Sequence, residues 1–162
     1  PIKRNPRGIL RMLQRKQTLF LLCVMILSFV GVLLPLGTIE PEGMGVGDMV
    51  YNICIRKGDG GMSLSVLPLF ILDVLVFVIS LLTIFLYKNR LLQAKLCISC
   101  ILLLVVWYAY LIYCWTSIFS VSGTFHVGFS SLLPLINIIL CWMARHGIMS
   151  DEKLVRSMDR IR

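Results

Sequence analysis

Four uninterrupted apolar stretches constrain this chain more than anything else in it. They run from about Thr18 to Pro35, Leu64 to Tyr87, Leu96 to Phe119 and Val127 to Met143, and Asp73 is their one charged residue. Each has the length of a membrane-spanning helix, about 20 residues within a range of roughly 17–25. Lipid offers no partners to backbone N–H and C=O groups, so each stretch must satisfy its own as a helix. Barrel strands would alternate over segments of roughly 10 residues, and these runs are continuous. Composition agrees: 58% of the residues are hydrophobic and 15% charged, against about 25% charged in soluble domains. A soluble domain of about 150 residues buries only about 70% of its unfolded surface and could not hide so much apolar area. An ordinary soluble domain, a disordered chain and a nucleic-acid module are all excluded. The expected fold is an all-α membrane protein, a four-transmembrane-helix bundle built from two in-out-in hairpins.

Charge gives the orientation. The segment 1–17, the link after the second stretch (Lys88, Arg90, Lys95) and the tail hold all of the 16 basic residues except Arg56 and Lys57. Excess Lys and Arg mark the cytoplasmic side, so both termini and the middle link belong there. An even number of spans agrees. The net charge of +8 is thus mainly an orientation signal, and no nucleic acid is expected as a partner. The first stretch has a basic leader but no small-x-small cleavage pattern after it, so it is read as a retained span rather than a secretory signal. The loop from about Leu36 to Ser63 is Gly-rich, contains Pro41 and is expected to be irregular. The second outer loop, about Ser120 to His126, is short.

A weak internal repeat accompanies the hairpins. Ser65-Val66-Leu67-Pro68-Leu69 matches Ser131-Leu132-Leu133-Pro134-Leu135 at the outer ends of the second and fourth spans. Proline suits the first turn of a helix. A duplicated helical hairpin occurs in some transporters.

Candidate chemistry is sparse. Asp73, near mid-span, costs about 2.5–3.5 kcal/mol on insertion, and Leu, Ile, Phe and Val each return about 0.3–0.6 kcal/mol. Eighteen such residues lie between Leu64 and Leu86, so insertion wins. At 100° per residue Ser65, Asp73, Ser80, Thr83 and Tyr87 share one stripe, which should face the bundle interior. Asn137 in the fourth span is the expected partner. An interhelical hydrogen bond is the simpler reading. A proton or cation site, as in a small transporter or proton-coupled membrane protein, is the alternative. Cys97 and Cys100 form a C-x-x-C, as a membrane thiol oxidoreductase would use, but the charge pattern puts them at the cytoplasmic end, where thiols stay reduced. They read as small apolar filler. His126 and His146 fall on opposite sides, so neither a metal nor a cofactor site is evident. Trp107, Tyr108, Tyr110, Tyr113 and Trp115 read as an interfacial belt, and His126 as a surface or capping residue. The tail from Ser150 to Arg162 reads as a short C-terminal amphipathic helix capped by Ser150. It would lay Arg156, Arg160 and Arg162 on the anionic inner leaflet or on a partner protein.

Several blocks resemble one family. Met12–Thr18 (MLQRKQT), Leu34–Gly45 (LPLGTIEPEGMG), Phe85–Gln93 (FLYKNRLLQ), Trp107–Tyr110 (WYAY), Gly123–His126 (GTFH) and Asp151–Arg162 (DEKLVRSMDRIR) are similar to an uncharacterised bacterial family of four-span membrane proteins, domain-of-unknown-function family 4293. The resemblance covers about Met12 to Arg162. It implies a single four-helix domain over 12–162 preceded by a flexible basic extension, 1–11, and it implies no activity, cofactor or catalytic residue. The expected function is therefore that of a multi-pass bacterial inner-membrane protein, non-enzymatic, structural or accessory, acting through lipid or protein contacts.

Overall fold

The computed structural model describes residues 6–86 and 88–159. Four long helices dominate: α1 (Pro6–Leu33), α2 (Leu67–Phe85), α3 (Arg90–Cys114) and α5 (Leu133–Asp159). A π-helical turn, Trp115–Phe119, and the short turn α4 (Ser120–Ser122) extend α3. A 3-10 turn, Phe129–Leu132, leads into α5. Each of the four is long and apolar enough to cross a membrane, and at most 33% of each apolar window is buried inside the protein.

Every helix buries a stripe spaced three or four residues apart, the spacing that lets near-parallel helices interlock. On α1 it is Gln17, Leu21, Val24 and Ser28; on α2, Leu69, Asp73, Val76, Ser80 and Thr83. On α3 it includes Gln93, Ala94, Cys97, Cys100, Leu104 and Trp107; on α5, Leu133, Asn137, Cys141, Ala144, Ile148 and Asp151. Helix α1 packs on α2, α2 on α3, α3 on α5 and α5 back on α1. The interior mixes small side chains such as Ala94, Cys97, Cys100, Cys141 and Ala144 with larger ones such as Leu21, Leu104, Trp107 and Ile148.

The loop from Leu36 to Ser63 is not irregular. Four short strands, β1 (Gly37–Glu40), β2 (Asp48–Val50), β3 (Ile55–Arg56) and β4 (Met62–Ser63), form an antiparallel meander. The second loop adds β5 (Thr124–Val127), antiparallel to β1, giving the order β4-β3-β2-β1-β5. The all-α expectation thus omits a five-stranded sheet at one end of the bundle. Its inner residues Leu36, Ile39, Val50, Ile55 and Phe125 join Val66, Leu69, Trp107, Leu111 and Phe119 in one core. Close approach requires glycine at Gly37, where a Cβ would overlap the His126 carbonyl and the Phe125 ring. It requires it also at Gly123, whose φ is +147° and whose Cβ would overlap the Glu40 carbonyl.

Three boundaries differ from expectation. Residues 6–11 lie within α1, which begins at Pro6, a residue that suits a helix's first turn, and runs on through Gly8. Val127 ends β5, Gly128 links it to the 3-10 turn Phe129–Leu132, and the fourth long helix starts at Leu133. The tail is no separate helix: α5 continues through Ser150 to Asp159. Asp151 does not serve a helix N-terminus. It is buried and accepts a hydrogen bond from Gln17 Nε2 at 2.5 Å.

Hydrogen bonds from side chains finish the helix ends. Asn52, carried in by the β2–β3 turn, donates to the Gly31 carbonyl at 3.0 Å, and Gln93 donates to the Thr83 carbonyl at 3.2 Å. Both acceptors lie in or near the last turn of a helix, where carbonyls lack helical partners. The repeated serines prove equivalent. Tyr110 donates to the Ser65 carbonyl at 3.1 Å, and Tyr108 to the Ser131 carbonyl at 2.7 Å. Helix α3 therefore holds the starts of α2 and α5 by the same device. Trp107 is not part of an interfacial belt: it is 1% exposed, in the core, edge-on to Tyr108.

Candidate functional site

Asp73 and Asn137 come together, but through a third residue. Asp73 is 4% exposed on the inner face of α2, and Asn137 is 1% exposed on α5. Between them lies Ser28 of α1, 3% exposed. Asn137 Nδ2 donates to Ser28 Oγ at 3.1 Å, and the Ser28 hydroxyl bonds the Asp73 carboxyl. The relay joins three helices through one hydroxyl. Asn137 Oδ1 has no hydrogen-bond partner among the described residues. Gly31 leaves room here, since a Cβ on it would sit 3.9 Å from Asp73 Oδ2. A cavity of about 310 Å³ adjoins the carboxyl, walled by Phe29, Phe70 and Phe77 between α1 and α2. No ion pair to Asp73 occurs among the described residues. The arrangement can accept and donate hydrogen bonds inside an apolar bundle.

Of the expected stripe, Asp73, Ser80 and Thr83 are buried as the helical spacing requires. Ser65 precedes α2 and is exposed, and Tyr87 lies outside the described residues. Ser28 escaped notice because a lone serine in an apolar run is common. Its place eleven residues after Gln17, on the stripe with Leu21 and Val24, is the signal that could have found it.

The C-x-x-C cysteines lie in the interior. Cys97 and Cys100 are fully buried and free, both on the inner stripe of α3. Cys100 Sγ lies 3.8 Å from Ser80 Oγ, and it also contacts Cys141 of α5. His126 is exposed on β5 and pairs with Glu40 of β1 at 3.5 Å. Arg156 is exposed and bonds Glu152 one turn earlier at 3.1 Å. Arg160 and Arg162 lie outside the described residues.

The sequence blocks at the two ends therefore meet in space: Leu34–Gly45 with Gly123–His126 in the sheet, and Met12–Thr18 with Asp151–Arg162 through Gln17 and Asp151. The family model described as Domain of unknown function (DUF4293) matches residues 13–161. The chain belongs to that family. No protein of curated function matches it in sequence. Within this DUF4293 chain, the sheet and the helix-end contacts thus fall inside the matched region, as does the Ser28–Asp73–Asn137 relay.

Proposed function

We propose that this chain is a multi-pass protein of the bacterial inner membrane, crossing it four times as two in-out-in hairpins. Both termini and the 86–89 link face the cytoplasm, and the sheet lies on the other side. Its role is structural or accessory, exerted through lipid and protein contacts rather than catalysis. One observation carries the reading: the polarity of the bundle is inverted. Leu19, Ile26, Phe29, Leu102, Ile112 and Trp142 face outward at 54–61% exposure, and Gln17, Ser28, Asp73, Gln93, Asn137 and Asp151 are buried. Water would not tolerate so continuous an apolar surface. The basic residues at the end opposite the sheet support the orientation.

The test is labelling by a membrane-impermeant maleimide. Cysteine placed at Met44, fully exposed beside the sheet, should react in intact cells, and cysteine placed at Ser157 only after permeabilisation. The reverse pattern would defeat the orientation. The cavity beside Asp73 favours a second reading, a small transporter or proton-coupled protein using that carboxyl. Asp73→Asn separates the two: an unchanged transport-linked phenotype removes the second.

A further inference from the structure

At the end of the bundle opposite the sheet, a cavity of about 620 Å³ opens where α2 turns into α3. Lys88, Arg90 and Lys95 line it, with Leu91 and Leu92. Its one acid, Glu152, is already bonded to Arg156. Arg90 Nη1 is buried and has no hydrogen-bond partner among the described residues.

The backbone adds to this imbalance. Helix α3 starts at the cavity, and the first N–H groups of a helix have no acceptor within it. Asn89 gives no side-chain cap, and the first turn contains no acid. The helix N-terminus carries partial positive charge, and here the chain sets Lys88 and Arg90 beside it. Such an end is unfavourable alone and is the geometry that binds an anion. Orientation by charge would be served equally by basic residues spread over the surface. It does not require them to converge on one cavity.

We propose that this cavity binds the phosphate of an anionic phospholipid headgroup. Arg90 and the first N–H groups of α3 hold the phosphate, and Lys88 and Lys95 supply the surrounding positive potential. The lipid source follows from the apolar wall. Leu91 and Leu92 are 49% and 42% exposed and continue the outward apolar face of α3, so an acyl chain can run along the helix from a seated headgroup. Basic pockets between spanning helices on the cytoplasmic side are suited to such headgroups. The proposal rests on the membrane reading above.

The experiment uses the full chain in nanodiscs, with phosphatidylglycerol titrated into phosphatidylcholine and inorganic phosphate added in a parallel series. Melting by tryptophan fluorescence and lipid retention by native mass spectrometry are read together. Phosphatidylglycerol is expected to protect saturably, with one lipid retained. Each lysine contributes about fivefold in affinity, so K88Q/K95Q should weaken binding about 25-fold. Both lysines are exposed, which keeps the variant folded. R90Q should abolish retention, and K57Q, an equal charge change in the sheet turn, should change nothing. Equal protection by phosphatidylcholine, or equal loss in K57Q, overturns the site. Equal protection by inorganic phosphate overturns the lipid source. A chain that does not enter nanodiscs at all overturns the membrane reading itself, a distinguishable failure.

Discussion

Ser28→Ala probes the relay most directly. Ser28 accepts from Asn137 at 3.1 Å and bonds the Asp73 carboxyl. Removing the hydroxyl deletes both bonds and creates almost no cavity. Interhelical hydrogen bonds in membranes average about 0.6 kcal/mol, with an upper value near 1.7 kcal/mol. Two bonds give an expected loss of about 1.2 kcal/mol. The loss should not be much smaller, because Asn137 Oδ1 already lacks a partner and its amide would then have none on either side. The assay is reversible unfolding in mixed micelles of mild detergent and dodecyl sulfate, followed by the buried Trp107. A double-mutant cycle with Asn137→Ala should return a coupling of about 0.6 kcal/mol. Additive effects, or a Ser28→Ala chain within about 0.3 kcal/mol of the parent, would refute the relay. Asp73→Asn should be nearly neutral, since a carboxamide oxygen can still accept from Ser28 and no charge needs to enter lipid.

Other perturbations read other parts of the fold. Gly37→Ala should open the β1–β5 pairing at a cost of about 2 kcal/mol, seen as faster proteolysis between residues 41 and 47. Leucine at Gln17 alone leaves Asp151 buried without its donor. It should cost about 1–3 kcal/mol and speed amide exchange over 148–157, and leucine at both positions should recover part of the loss. Tyr108→Phe should cost about 1 kcal/mol, as one hydrogen bond to the start of α5 is lost. Cys97, Cys100 and Cys141 should resist maleimide in the folded protein and react only after denaturation, as their full burial requires.

The helices were legible because each bulk property that marks a spanning segment accumulates over some twenty residues. Their inner faces were legible where polar residues interrupt that run, as at Asp73, Ser80, Thr83 and Asn137. The sheet was not. Its strands are two to four residues long, too short for period-two alternation to register, and β1 meets β5 across more than eighty intervening residues. A Gly-rich, Pro-containing loop then looks irregular although Gly37 serves close strand approach. The tail is deceptive for a related reason. Ser150-Asp151-Glu152 has the composition of a helix start, but tertiary contact with Gln17 makes Asp151 an interior residue. Trp107 shows the limit of residue-type rules: aromatic rings favour interfaces on average, and its position on the α3 stripe decides otherwise.

The pairing of β1 with β5 has a consequence for assembly. β1 sits between β2 and β5, so during synthesis one of its edges has no partner until the third helix and the turn after it have emerged. The meander can form early and wait, exposing one row of backbone groups, and becomes complete only when residues 124–127 arrive. The last stitch of the sheet therefore closes only when the segments before α2 and after α3 lie side by side.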